Sequence, residues 1–213
     1  KAWGIYLPEI TELKNTIIKT ESCAFKMLEH PKTTSLWYTF NYTSPYYLTG
    51  LKTDVEPTPV HGWFSPREQN PEGLMYRIPN ELVIGIDSGA IQQNNKDIQL
   101  SHIIKTLHPR YEQSNFTEDL FKCNNVIIFG HSMGITDSDY FRNYLHALKN
   151  GSLSHRNIYI VTNNLSSMVS IEANFDKFGV HLCELKAAGH KISSVFTTDG
   201  PENLKFKELL TLL

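Results

Sequence analysis

The sequence predicts an α/β fold in which a mostly parallel sheet is flanked by helices. Short apolar segments of strand type alternate with longer segments of helical period through the second half of the chain. The segment Val126–Phe129 is apolar at every position, which is typical of a strand covered by helices on both faces. Hydrophobic residues make up 40% of the 213 residues, so the chain can bury a substantial core.

The first half of the chain holds fewer regular elements. Apolar residues recur at helical spacing over residues 8–29, and Pro31 ends the helix that this pattern predicts. The β-rich segment 35–42 predicts a buried strand. Three prolines and a glycine make residues 44–60 a loop or a short edge strand, and further prolines predict a loop over residues 65–80.

The second half of the chain alternates regularly between strand and helix. We predict strands over residues 82–86, 126–129, 158–161 and 180–184. We predict helices over residues 98–107, 116–122, 137–149, 166–178 and 201–212. Gly151 and Gly179 follow two of these helices, where a left-handed residue commonly ends a helix. This alternation predicts βαβ units and therefore a parallel sheet.

Length and charge limit the possible classes of protein. We expect residues 1–213 to form a single α/β domain, and, because the chain begins with Lys1 rather than Met, to be a fragment without its natural N-terminus. A formal net charge of −2 argues against a dedicated nucleic-acid surface. No apolar run reaches the roughly 18 residues that span a bilayer. An odd number of distant cysteines favours the reducing cytoplasm over a zinc site or disulfide framework.

Polar residues cluster directly after the predicted strand 126–129. The glycines of Gly130–Gly134 allow a sharp turn from this strand into the next helix, and Asp137 lies near the start of that helix. Backbone amides at such a helix start can hold an anion such as phosphate. His131 and Ser132 lie inside the same turn. The spacing of His131 and Asp137 has no form that is diagnostic of a metal site, so we predict none.

Two further polar positions follow short strands in the first half of the chain. Asn41 ends the predicted strand 35–42, where its amide suits a ribose hydroxyl or a base edge, or simply caps the following turn. His61 precedes Gly62 and aromatic neighbours. It could serve as an acid or base near neutral pH, or as a half-buried structural histidine.

The residues Gly130–Gly134 also match the GxSxG pattern of serine hydrolases. In that interpretation Ser132 is the nucleophile, His181 or His190 is the general base, and Asp176 orients it. The segment Ile135–Asp139 weighs against this interpretation, because it delays the helix and places acidic residues beside the turn.

Taken together, these motifs resemble the abortive-infection AbiH family of bacterial anti-phage proteins, over roughly residues 35–150. The resemblance rests on Phe-Asn-Tyr-Thr at 40–43, His-Gly at 61–62, the strand 82–86 and the run Gly-His-Ser-x-Gly-x-x-Asp-x-Asp-Tyr-Phe at 130–141. The last run is the most specific element. The order of the motifs is also similar to sirtuin-like nucleotide-binding domains of other phage-defence proteins, in which the Asn and His line an NAD pocket.

The resemblance implies a Rossmann- or sirtuin-like fold, with NAD as the substrate of a glycohydrolase rather than a resident cofactor. It implies catalytic roles for Asn41 and His61, and a partner among phage or defence-system proteins; the sequence allows an oligomer but does not define the oligomeric state. The implied nucleotide-binding residues are Tyr42, Gly62, Gly130, His131, Ser132, Gly134 and Asp137.

The chain departs from the family in one respect. Family members usually begin with a strand and a glycine-rich Asn-Gly-Phe-Asp loop, which this sequence lacks. Either that segment lies before Lys1, or this copy does not bind a nucleotide. In the second case the chain is a non-catalytic sensor or interaction module of a defence system.

Overall fold

A computed structural model describes residues 22–29, 35–40, 57–61, 65–66, 76–77, 105–107 and 115–213. The chain divides into two compact units, residues 1–83 with Leu213 and residues 84–212. The α/β class is confirmed, because helices alternate with parallel strands in the second unit. The single domain stays a prediction. The predicted strand 82–86 and the site residues Asn41, Tyr42 and Gly62 lie outside the described residues.

The first unit contains one described helix and four short strands. These are α1 (Cys23–Glu29), β1 (Tyr38–Thr39), β2 (Thr58–Pro59), β3 (Ser65–Pro66) and β4 (Tyr76–Arg77). Strand β1 pairs with β2 in parallel, and β3 pairs with β4 antiparallel. The helix predicted over 8–29 is confirmed at α1. The strand predicted over 35–42 is confirmed only at β1, because residues 35–37 and 40 are described and lie outside any strand.

The loop predicted over residues 65–80 is wrong at β3 and β4, which form a two-residue antiparallel pair. Proline argued against a strand there because it has no N–H to donate to a ladder. Pro66 nevertheless lies in β3, opposite Tyr76. A short strand at a sheet edge tolerates proline, since not every residue of an edge strand has to donate a ladder hydrogen bond.

Within its described residues, the second unit is built on three parallel strands, β5 (Asn125–Phe129), β6 (Asn157–Thr162) and β7 (Lys191–Phe196). They lie in the order β5-β6-β7, and Asn157 pairs with both Asn125 and Lys191. The amino ends of the strands therefore meet at one edge of the sheet and their carboxyl ends at the other. The strands predicted over 126–129 and 158–161 are confirmed.

In the part of the chain that the structure describes, five α-helices accompany this sheet, namely α2 (Phe116–Lys122), α3 (Ser138–Lys149), α4 (Leu165–Lys177), α5 (Leu182–Ala187) and α6 (Leu204–Leu210). Sequence explains the bounds of α4: the Asn164 Oδ1 atom accepts from the Ser167 N–H at 3.0 Å, and Gly179 follows the helix with φ +76°. The helices predicted over 116–122, 137–149 and 166–178 are confirmed. The last helix starts at Leu204, later than predicted.

The core of the second unit forms against one face of α3. Tyr140, Phe141, Tyr144, Leu145 and Leu148 are all buried, at the helical spacing that predicts an amphipathic helix. Helix α2 packs across this face, since the rings of Phe116 and Phe141 lie 5.4 Å apart edge to face. The last three residues of the central strand β6 are also buried.

The strand predicted over 180–184 is wrong, because this segment leads into helix α5. Glu184 accepts the His181 N–H at 2.8 Å and caps the helix, and this hydrogen bond lowers the pKa of the Glu184 carboxyl. The third strand is β7, which the sequence did not predict. Ser193 and Ser194 interrupt its apolar pattern, and pairing with the buried strand β6 overrides that local signal.

The amino edge of the sheet is closed by a buried arginine. The Arg156 guanidinium donates to Asn124 Oδ1 at 2.9 Å and to the Phe121 carbonyl at 3.2 Å. The backbone N–H of Arg156 donates to His190 Nδ1, while His190 Nε2 lies 3.1 Å from the Leu148 carbonyl. These contacts join the segments that precede all three strands. They satisfy polar groups that would otherwise be buried without partners.

Three buried side-chain polar atoms have no hydrogen-bond partner among the described residues, namely Arg142 Nε, Arg156 Nε and the Tyr144 hydroxyl. The Tyr144 hydroxyl makes no hydrogen bond, although the side chain is 2% exposed and packs edge to face on Phe121 at 5.7 Å. Burial raises the pKa of Tyr144 to about 12, from an ordinary value of 10.0. The hydroxyl therefore costs desolvation without a compensating bond.

We expect Tyr144→Phe to leave the free energy of unfolding at pH 7 unchanged or to raise it by about 1 kcal/mol. Above pH 10 the unfolded chain releases the Tyr144 proton while the folded chain keeps it, so the wild type loses stability between pH 10 and about 12. The variant should lose less. Urea unfolding at pH 7 and pH 11 measures both effects; a loss of several kcal/mol at pH 7 would show a hidden partner of the hydroxyl.

Candidate functional site

The candidate site is the turn of residues Gly130–Asp137, which joins the carboxyl end of β5 to α3. Gly130 continues the ladder, since its N–H donates to the Val161 carbonyl of β6 at 2.9 Å. Its φ of +63° then directs the chain away from the sheet. A side chain rarely adopts this angle, so glycine suits the position where the strand ends.

Two contacts fix the middle of the turn. Met133 adopts φ +52°, which is unusual for a residue other than glycine, and its side chain is completely buried. Its N–H donates to His131 Nδ1 at 2.9 Å, and the Asn174 amide of α4 donates to the Ser132 carbonyl at 2.9 Å. Burial of the Met133 side chain and these hydrogen bonds offset the cost of the left-handed backbone.

A buried lysine from a distant segment holds the end of the turn. Lys105 begins a 3-10 helix (Lys105–Leu107), and its side chain is 7% exposed. The Lys105 ammonium donates to Asp137 Oδ1 at 2.6 Å and to the Thr136 carbonyl at 3.0 Å. A buried ammonium is retained only with such partners, so these contacts join the turn to the Lys105 segment.

His131 lies between Met133 and Asp137 and is neutral in this arrangement. Its Nδ1 atom accepts a backbone N–H, so the proton of the neutral ring is on Nε2. That Nε2 atom lies 3.4 Å from Asp137 Oδ2, a long polar contact. The two ring nitrogens therefore face groups of the turn itself. His131 acts here as a support of the turn rather than as an exposed acid or base.

The first backbone N–H groups of the helix that follows the turn have no hydrogen-bond acceptor among the described residues. A 3-10 helix, Ile135–Asp137, precedes α3, and neither helix receives a hydrogen bond from a capping side chain. The N–H groups of Gly134, Ile135 and Thr136 have no acceptor among the residues that the structure describes. By contrast, Asn164 caps α4 and Asn203 caps α6. The turn thus presents three backbone donors to an outside acceptor.

At the same edge of the sheet, hydrogen bonds join the residues that follow β6 and β7. Thr198, which follows β7, donates through its N–H and its hydroxyl to the Asn163 carbonyl at 3.2 and 2.9 Å. These residues follow strands that the sequence analysis did not connect with a site. Their hydrogen bonds to each other join the ends of β6 and β7 at the carboxyl edge, beside the turn.

The geometry around Ser132 gives no support to a serine hydrolase. In a nucleophile elbow the serine occupies the strained turn position, whereas here the positive φ belongs to Met133. His190 lies at the amino edge of the sheet, opposite the turn, with both nitrogens in contact with backbone groups. Among the described residues, Ser132 Oγ makes no hydrogen bond to a histidine.

The Asp176–His181 pair predicted for that hydrolase does form, at 2.6 Å between Oδ1 and Nδ1. Both side chains are more than half exposed, and His181 occupies the N-cap position of α5. No contact joins the pair to Ser132, so it stands as a surface ion pair or hydrogen bond beside a helix start.

The predicted catalytic residues belong to the first unit. His61 follows β2 and is 2% exposed, and its ring lies 5.3 Å from the Phe40 ring, edge to face. Its partners Asn41, Tyr42 and Gly62 lie outside the described residues. The structure therefore brings together His131, Ser132, Gly134 and Asp137 in one turn, and it leaves the joint role of Asn41 and His61 as a prediction.

Lys105 is the residue of this site that sequence reasoning missed. It lies in an apolar stretch of the helix predicted over 98–107, where one lysine is unremarkable. The sequence offers one indication that Lys105 is buried: it directly follows Ile103 and Ile104, and a position beside apolar residues is often buried. Its contact with Asp137, 32 residues further along, has no local signal.

No protein-family model matches the chain, and neither a curated protein nor a solved structure matches it. None of the described helices has the length and hydropathy needed to cross a membrane. Among the same residues, no group of three or more histidine, cysteine or acidic side chains could hold a metal ion.

We expect Gly130→Ala to lower the free energy of unfolding by about 1–2 kcal/mol, because an L-residue is strained at φ +63°. No atom lies within 4 Å of the added methyl group, so the loss of stability would come from backbone strain and not from a steric clash. Gly134→Ala is the matched control: its φ of −68° is ordinary, and its methyl would lie 3.3 Å from Ser132 Oγ. Urea unfolding compares the two, and an equal cost for both would reject the backbone explanation.

Proposed function

We propose that this chain belongs to an anti-phage, abortive-infection protein that binds NAD and hydrolyses it. The resemblance of residues 130–141 to the AbiH family motivates the proposal. The observation that carries it is the uncapped helix start at Gly134–Thr136, with three backbone N–H groups that have no described acceptor. It lies at the carboxyl end of a parallel strand, where nucleotides bind in open α/β sheets.

The charges of the turn determine how it would hold a nucleotide. The Lys105 ammonium is compensated by Asp137, and His131 is neutral, so the turn contributes no net positive charge from these three side chains. A phosphate or ribose oxygen would therefore bind through directed backbone N–H groups and the dipole of α3. We expect binding to depend only weakly on salt, unlike binding to a cluster of basic side chains.

The resemblance assigns the chemistry to Asn41 and His61. Asn41 would position the ribose of NAD, and His61 would accept a proton from water. The water oxygen forms a bond to the ribose carbon as the bond to the nicotinamide nitrogen breaks, and that nitrogen takes the bonding electron pair. The products are ADP-ribose, nicotinamide and a proton.

The wider proposal follows from the same resemblance. The fold would be Rossmann- or sirtuin-like, with a cytoplasmic site of action where NAD is consumed during infection. The partner would be a phage or defence-system protein, and the active form could be an oligomer. A chain that binds NAD without hydrolysing it would instead act as a sensor module.

We expect the purified protein to release nicotinamide from NAD in the presence of an extract of phage-infected cells. His61→Ala should lower the rate by about 100-fold or more, the usual effect of removing a general base. His155→Ala is the control, because His155 is an exposed histidine at the amino edge of the sheet. Chromatography of nicotinamide measures the rate. Absence of nicotinamide release with every extract, in a protein that is folded, would count against the enzyme.

A further inference from the structure

A chain of side-chain hydrogen bonds runs along the amino edge of the sheet, from the first residue of β5 to the segment before β7. The Asn157 Nδ2 atom donates to Asn125 Oδ1 at 2.8 Å, and Asn157 Oδ1 lies 3.2 Å from His155 Nε2. The other ring nitrogen, His155 Nδ1, contacts the Gly189 carbonyl. The chain therefore joins the segments at which all three strands begin.

Both nitrogens of the His155 ring face oxygen atoms. The Gly189 carbonyl can only accept, so Nδ1 carries a proton in every form of the ring that keeps this contact. The Asn157 oxygen that faces Nε2 also can only accept, so this orientation of the amide requires a proton on Nε2 as well. The amide orientations in the structure are therefore those that fit the positively charged imidazolium.

A neutral His155 ring requires the opposite amide orientations. With Nδ1 still donating to Gly189, Nε2 becomes an acceptor, and it needs the Asn157 NH₂ group in place of the amide oxygen. A rotation that exchanges the two ends of the Asn157 amide supplies that donor, and it leaves the packing unchanged because oxygen and NH₂ are nearly equal in size. The Asn157 oxygen then faces Asn125, whose own amide must rotate in order to donate.

We propose that protonation of His155 reverses the direction of this hydrogen-bond chain, so that the start of β5 responds to the charge of a histidine in the segment before β6. With the ring charged, Asn125 accepts from Asn157 and its NH₂ group is left to solvent; with the ring neutral, Asn125 donates and its oxygen is left to solvent. An exposed group of the amino edge thus changes from a donor to an acceptor as the pH rises. This inference does not depend on the binding of NAD.

The charged groups around His155 are cationic. The Arg156 guanidinium donates to the His155 carbonyl at 3.2 Å, and Lys191 of β7 pairs with Asn157. The neighbouring His190 ring has both nitrogens in contact with backbone groups. Among the described residues, no carboxylate forms an ion pair with His155. Loss of the Nε2 proton therefore breaks no ion pair, and the Asn157 amide is the group that must adjust to it.

We expect the side-chain amide resonances of Asn125 to titrate with the same midpoint as the His155 ring, although Asn125 does not contact the ring. Heteronuclear NMR between about pH 5 and 8, where histidine titrates, measures both groups. In Asn157→Ala, His155 should still titrate while Asn125 no longer follows, because the amide between them is gone. His181→Gln is the control, since His181 is an exposed histidine that pairs with Asp176, and it should leave the response of Asn125 unchanged.

Two outcomes overturn the proposal. One is a wild-type protein in which the Asn125 side-chain amide does not change as His155 titrates. The other is a response of Asn125 that persists in Asn157→Ala, since the charge of the ring would then act through space and not through the chain. If Asn157→Ala does not fold, the response must disappear in His155→Gln and remain in His181→Gln, and any other result rejects the role of His155.

Discussion

The parallel register of three strands is the constraint on which the second unit depends. Because Asn125, Asn157 and Lys191 are paired across the sheet, every strand begins at one edge and ends at the other. Each crossing helix must then return the chain from the carboxyl edge to the amino edge. The polar residues that follow strands are collected on one side, and those that precede strands on the other.

The two edges use their polar groups differently. At the amino edge, the Arg156 guanidinium and the His190 ring are directed into the protein, where they bind carbonyl and amide groups of the segments that precede the strands. At the carboxyl edge, Lys105 and Asp137 neutralise each other while the adjacent backbone donors stay open. The first arrangement stabilises the fold. The second leaves backbone N–H groups at the surface without an acceptor among the described residues.

Much of the second unit follows from local sequence patterns. The apolar run Val126–Phe129 predicts β5, and the spacing of aromatic and aliphatic residues predicts α3, because each signal comes from residues adjacent in the chain. Strand β7 was not predicted because serines such as Ser193 and Ser194 are more typical of a loop. These residues form a strand through their pairing with β6. The location of the turn was predictable, since a strand, two glycines and a helix follow each other in sequence.

The electrostatics of the turn were not predictable in the same way. The sequence suggests His131 as a ligand contact, which stays a prediction, and it gives no sign that the Met133 N–H donates to the Nδ1 atom of this ring. The role of Asp137 depends on Lys105, which comes from a segment 32 residues earlier and is brought to it by tertiary packing alone. Only the folded chain shows which of several acceptors a buried ammonium selects.

The hydrogen bond from the Gly130 N–H to Val161 has a mechanical consequence. The turn is not a loop that moves independently of the sheet, because its first residue is still part of the ladder with the central strand. A ligand that displaces the turn must strain this bond, and the displacement reaches β6 and, through it, the strand on the far side. A change in the position of the turn would therefore also disturb its hydrogen bond to the central strand.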